Sequence, residues 1–264
     1  MHPLYDPVAA AMREVASAII LPRFRNLAAG EVRDKAPGDP VTIADQESEA
    51  RLTEALAALT PGNRVVGEEA ASDDLSLLGD LGQGRIWVID PLDGTKNFAE
   101  GKTPFAVMVA LLDEGRCEAG WILDPVSGRM CHAVRGGGMF FDGARVMARP
   151  TGAAQPRAAI ALHFLLPERR ADIETRAAGR LDLVAIPRCA GEQYPRLIDG
   201  QNDIALFERT MPWDHLAGAL MVEEAGGKVA RPDGSDYRAA IGGKGLLAAA
   251  SPALWETGAA TLFG

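Results

Sequence analysis

The chain has 264 residues, 47% of them hydrophobic and 24% charged, which is too apolar for disorder and long enough for one large domain or two closely packed ones. Its net charge of -9 argues against non-specific attraction to nucleic-acid backbones. An anionic ligand would therefore need a local reversal of sign, which bound cations can supply.

The N-terminal stretch lacks a basic leader, and Arg13 and Glu14 interrupt it, so it reads as an amphipathic helix over residues 6–28 and not as a signal peptide. A second helix is expected over 45–59, with Thr42 and Asp45 as candidate caps. "RVVGEEA" reads as a short strand turning at Gly67, and a Glu-Glu pair in a turn is usually a solvated surface feature. From "RIWVID" through "FAVMVALL", "CEAGWILD", "MCHAV" and "GMFFDG", short apolar runs split by Gly, Asp or Pro predict an antiparallel meander. After residue 150 the rhythm becomes alternating α/β. Strands are expected at "RAAIAL", "LDLVAI", "DIALF" and "GLLAAAS", and a helix near 167–179. Another helix, "WDHLAGALMVEEAGG", stops at Gly226-Gly227, and a last one ends the chain. "EQYPRLIDG" is a helix only if Pro195 falls in its first turn. The boundary candidate at 148–158 divides the chain into an α+β half, 1–147, and an α/β half, 148–264. Cys117, Cys131 and Cys189 are scattered, without metal-ligand spacing, and read as free buried thiols of a reducing cytoplasm. No run approaches the roughly 20 apolar residues of a membrane span.

"WVIDPLDGTKNF" at 87–98 is the most informative stretch. Asp90 and Asp93 end an apolar strand, where unpaired charge is costly, so basic side chains or a cation must satisfy them. Two such carboxylates can converge on hard cations. The amides of Gly94 and Thr95, opening a helix, would form an anion site beside them. Asp45, Glu68-Glu69 and Asp214 are further acidic positions. Taken singly, Asp45 and Asp214 could simply open helices.

"GEE" at 67–69, "WVIDPLDGTKNF" and "PWDHLAGALMVEEAGG" at 212–227 resemble the three signatures of the inositol monophosphatase family, and "DPVTIADQESE" resembles the segment before them. These are magnesium-dependent, lithium-sensitive phosphatases of a superfamily that includes fructose-1,6-bisphosphatase and the bisphosphate nucleotidases. The resemblance implies a layered α-β-α-β-α sandwich, two or three Mg2+ ions and a cytoplasmic homodimeric enzyme hydrolysing a small phosphate ester, with no nucleic-acid or membrane partner. It implies that Glu68, Asp90 and the Leu92 carbonyl hold a first ion, and that Asp90, Asp93 and Asp214 hold a second. Glu68 and Thr95 would position the attacking water, with Asp90 and Asp93 completing the catalytic group. Gly94 and Thr95 would bind phosphate, Asp45 would stand outside a third ion, and Lys35 would belong to a mobile loop. His132, His163 and His215 are not expected to be nucleophiles.

The chain departs from the family pattern around the alcohol pocket. Where inositol-specific members carry a glutamate seven residues before the Pro-Trp-Asp aspartate, this chain has Phe207, with Glu208 one step later. "RCAGEQYPRLIDG" at 188–200 replaces the usual small-residue segment. Arg188, Glu192, Tyr194, Glu208 and Lys96, with Lys35 of the preceding loop, are the candidate substrate contacts. A small polyol phosphate is the first expectation, histidinol phosphate or a nucleotide 3'-phosphate the second. A protein-binding regulator of the transcription or ribosome machinery is the non-catalytic alternative.

Overall fold

The computed structural model describes all residues except 29, 37, 163, 164 and 240–242, and the side chains of 36 and 39 are likewise outside it. Helix α1 (Tyr5–Val15), a five-residue π turn (Ala16–Ile20) and α2 (Leu21–Arg23) form one helical run. It stops short of the expected residue 28. Pro22 offers no N–H to the preceding turn and its ring crowds that turn, which a widened π turn accommodates. Phe24 then leaves in extended conformation. An antiparallel hairpin of β1 (Val32–Ala36) and β2 (Asp39–Thr42) follows, an element its polar, proline-broken sequence did not signal. Helix α3 (Ile43–Leu59) uses both expected caps at once: the Thr42 hydroxyl accepts from the Ala44 N–H, and Asp45 accepts the Thr42 N–H at 2.8 Å.

Next come β3 (Arg64–Gly67) and α4 (Glu68–Asp73), so the Glu-Glu pair opens a helix and is not a solvated turn. The expected meander is present as β4 (Arg85–Asp93), β5 (Ala106–Asp113), β6 (Arg116–Leu123), β7 (Met130–Val134), β8 (Gly138–Phe141) and β9 (Ala144–Val146). The short helix α5 (Thr95–Ala99) interrupts it, and β3 joins in parallel beside β4 to complete a seven-stranded sheet. The second sheet has five strands in the order β11-β10-β12-β14-β13. They are β10 (Arg157–Ile160), β11 (Asp182–Val184), β12 (Ile204–Phe207), β13 (Lys228–Ala230) and β14 (Leu246–Ala249). Its helices are α6 (Pro167–Ala177), α7 (Ala190–Ile198), α8 (Pro212–Glu224) and α9 (Pro252–Phe263). Helix α7 forms although Pro195 lies beyond its first turn. Helix α8 ends in a left-handed Gly226, whose N–H bonds the Glu223 carbonyl while Gly227 bonds Val222.

Strand alternation sorts the core into layers. Trp87, Ile89, Val107 and Val109 face the helical layer of α1 and α3. Val88, Met108 and Ile122 face α7 and α8, which also receive Ala205 and Ala248 of the second sheet. Ile204, Leu206 and Leu247 face α6 and α9. The result is an α-β-α-β-α sandwich, with α7 and α8 as the shared middle layer. Among the described residues, no helix is long and apolar enough to cross a membrane.

The middle layer packs closely because of small residues. A Cβ on Gly120 would sit 2.8 Å from the Ala217 Cα, and one on Gly218 would sit 1.9 Å from the Tyr194 ring. Gly218→Ala should gain about 1 kcal/mol in helix propensity. Because Tyr194 is fully buried, relief of the overlap costs more, about 1–3 kcal/mol or above. Urea unfolding should show a net loss for Gly218→Ala; a gain would mean that the ring has room to move.

Candidate active site

A cleft of about 650 Å³ opens where the C-terminal ends of β4 and β12 meet the starts of α5, α7 and α8. In a regular strand, residues three apart face opposite sides of the sheet. The register of β4 against β5 shifts between Asp90 and Asp93, and both aspartates line the cleft. The chain between them folds back: the Leu92 N–H donates to the Asp90 carboxylate at 3.0 Å.

Glu68 arrives from the first turn of α4 and Asp214 from the first turn of α8. Glu68, Asp90 and Asp214 each place a carboxylate oxygen so that all lie within 4.8 Å of one another. Asp214 also shares a side-chain hydrogen bond with Asp90. Asp93 stands beside this trio, with one carboxylate oxygen accepting the Gly191 N–H at 2.6 Å. Burial, then the charges of Glu68, Asp93 and Asp214, raise the Asp90 carboxyl well above the usual carboxylate range. Burial followed by Glu68 does the same to Asp214, with Arg209 offsetting part of it. Asp93 is pushed up to about 6 by burial, against the hydrogen bonds from Cys189, Gly191 and Ala190.

The surrounding residues hold this group in place. Lys35 of β1 binds Glu68 at 2.9 Å and Glu69 at 3.0 Å. Burial, with Glu68 next, lifts Glu69 to about 7. Glu49 of α3 accepts the Glu69 and Ala70 N–H groups at 2.7 and 2.8 Å. Its carboxylate fills the space beside Gly67, where a Cβ would stand 2.1 Å away. The Thr95 hydroxyl is 3.0 Å from both Asp45 Oδ1 and the Leu92 carbonyl. Asp45 is therefore a cap of α3 and a partner of Thr95 together; burial raises it to about 6, against the Thr42 hydrogen bonds. Gly94 takes the left-handed φ of 86° that starts α5.

Lys96, Arg188 and Glu208, candidate substrate contacts in the sequence, all line the cleft. Glu192 does not. Its two oxygens are taken by Arg129, just before β7, and by Arg196 of the same helix, the latter at 2.8 Å. Tyr194 is also turned inward: it is buried, stacked on Phe207, and its hydroxyl donates to His215 at 2.9 Å. The other His215 nitrogen donates to the Arg209 carbonyl at 2.8 Å. Burial keeps His215 neutral, down at about 4. His132 is buried on β7 and likewise lowered to about 4; His163 lies outside the described residues.

Several residues at the site carried no signal in the sequence. Asn97 donates to the Pro104 and Pro187 carbonyls at 2.8 and 2.9 Å, tying α5 to the segment before α7. Arg188, beside that tie, has a φ of 56°, strain of the kind that accumulates at functional sites. All three cysteines are free and buried, as expected, and Cys189 proves to line the cleft.

The sequence pattern of the inositol monophosphatase family matches residues 2–263. The chain belongs to that family. An inositol-1-monophosphatase of Mycobacterium leprae is 34% identical over 245 residues, 85% of this chain and 79% of that protein. A histidinol-phosphatase of Mycobacterium tuberculosis is 33% identical over 201 residues, 74% of this chain and 75% of that one. The crystal structure of the extragenic suppressor protein suhB from Bartonella henselae superposes with a TM-score of 0.83 at 23% identity, covering 99% of both chains. That last likeness establishes the layered family fold.

Raised carboxyl pKa values make the metal-free protein pH-sensitive in a defined direction. The folded chain keeps protons that the unfolded chain releases above about pH 4. The contribution of Asp45, Asp93 and Glu69 is thus full near pH 4 and is lost as pH rises through about 6 to 7. Asp90→Asn removes one of the crowded charges at nearly constant size. With chelator at pH 8 it should melt no lower than wild type, and any stabilisation that a divalent cation gives the wild type should shrink in the variant. A large drop for the metal-free variant would instead mark Asp90 as a partner in a structural ion pair.

Proposed function

We propose that this protein is a metal-dependent phosphomonoesterase that hydrolyses a small polyol or related phosphate by attack of water on phosphorus. The observation that carries the reading is the convergence of the Glu68, Asp90 and Asp214 oxygens within 4.8 Å. Such a group of hard, anionic oxygen donors fits divalent cations of the magnesium type. Burial without enough positive charge fits them too, since Lys35 and Arg209 offset the edges of the group and not its centre at Asp90. In this reading Glu68, Asp90, Asp93, Asp214 and the Leu92 carbonyl hold the metal. When bound, magnesium polarises a phosphoryl oxygen and lowers the pKa of the attacking water.

The chain's own groups do the positioning. The Thr95 hydroxyl donates a hydrogen bond to Asp45 or the Leu92 carbonyl, both 3.0 Å away, which leaves its lone pairs to accept a hydrogen bond from the attacking water. Glu68, buried at the start of α4, offers the second acceptor for that water. The amides of Gly94 and Thr95 belong to the set a helix start leaves without internal partners, and they receive the phosphate oxygens. The alcohol part then meets Phe207, Glu208, Lys96 and Arg188 on the cleft wall. Magnesium as the ion, inhibition by lithium and a homodimeric state belong to the same reading.

A phosphate-release panel with magnesium tests it, comparing inositol 1-phosphate, histidinol phosphate, fructose 1,6-bisphosphate and adenosine 3',5'-bisphosphate. At least one should be turned over, and excess chelator should abolish the activity. Full activity in chelator, or turnover of none, would overturn the reading. Thr95→Ala keeps the amide but loses the hydroxyl, and turnover should fall roughly 10²-fold with metal-induced stabilisation unchanged. A wild-type rate would remove Thr95 from the mechanism.

A further inference from the structure

Buried polar atoms are almost always hydrogen-bonded, so each exception needs a reason. Among the described residues, Gln193 is the one side chain with both polar atoms buried and unpartnered, Oε1 and Nε2 alike. The residue is 3% exposed. It is also the one residue of that unpartnered set that lines the cleft. Exchanging the amide oxygen and nitrogen by a flip does not help, since neither has a partner. Its position is fixed by the chain: the Gln193 N–H donates to the Cys189 carbonyl at 3.0 Å in the first turn of α7. The cleft is lined in part by the apolar Ala159, Ala161, Leu206 and Phe207.

We infer that Gln193 is a specificity-determining residue whose amide binds the alcohol part of the ester. The inference rests on the phosphatase reading above and deepens it. An amide offers a donor and an acceptor about 2 Å apart, with no charge. Its complement is a neutral group that presents an acceptor beside a donor, such as neighbouring hydroxyls or an amide-like edge. Phe207, which also lines the cleft, is apolar and packs on Tyr194. In this inference the neutral polar anchor for the leaving alcohol is the amide at the start of α7. A site that keeps a hydrogen-bonding pair desolvated and waiting discriminates strongly against ligands that cannot complete it.

Gln193→Met and Gln193→Leu remove the pair at nearly constant volume. Phenyl phosphate, whose leaving group lacks adjacent donor and acceptor atoms, is the reference substrate. The ratio of kcat/KM for the best substrate of the panel to that for phenyl phosphate should fall roughly tenfold, the effect of one neutral hydrogen bond. In the ligand-free state both variants should melt at or above the wild-type temperature, because two unpaired buried polar atoms have gone. An unchanged ratio would overturn the inference. So would a lower melting temperature in both variants, since that means the amide is paired within the folded chain, through a buried water. The melting comparison needs no turnover and therefore judges Gln193 even if the wild-type protein releases phosphate from none of the panel.

Discussion

Like charges held close together in a dry place are the constraint on which the rest of this structure depends. Asp90 is 1% exposed and is raised in turn by Glu68, Asp93, Asp214 and Asp45. Nothing in a folded chain gathers carboxylates this way spontaneously, because desolvation and repulsion both oppose it. The cluster persists because each member comes from an element fixed elsewhere. Asp90 and Asp93 end the second strand of a seven-stranded sheet, Glu68 opens α4 under the Glu49 cap, and Asp214 opens α8 in the middle layer. The repulsion is stored against packing that a divalent cation does not need to create.

Helix α8 links the two halves of that arrangement. It is buried along most of its length and is covered by β6 and β7 on one side and by α7 on the other. Gly218 admits the Tyr194 ring, and Tyr194 in turn holds His215 and Phe207. The cleft wall on this side is therefore an extension of the core, not a loop laid over it. Its residues answer to packing, which explains why Tyr194 and Glu192, both plausible from sequence as contacts, are used structurally. It also makes an unsatisfied amide such as that of Gln193 conspicuous, since everything around it is close-packed.

Much of the acidic end of the cleft was legible in the residues themselves. Asp-Pro-Leu-Asp-Gly-Thr after an apolar strand, and Pro-Trp-Asp before an apolar helix, carry their local structure with them: strand end, left-handed glycine, helix start. The capping box of α3, the meander and the glycine stop of α8 were equally local, and local rules decided them. Elements that broke a rule were misread for physical reasons. The π turn before Pro22 and the helix containing Pro195 survive because packing outweighs the missing N–H, and the β1–β2 hairpin lacks an alternating pattern.

Tertiary structure alone decided how those local pieces meet. The shift of register between Asp90 and Asp93 turns two aspartates that alternation would separate toward one cleft. Glu49 against Gly67, Asn97 between Pro104 and Pro187, and Asp45 on Thr95 join residues 7 to 90 positions apart. Whether a polar side chain faces a ligand or a neighbouring arginine follows from the same distant contacts, as Glu192 and Gln193 show one residue apart on α7. A sequence specifies which groups are available through residue type and nearest neighbours. Which of them are paired, and with what, depends on surfaces brought together from far along the chain.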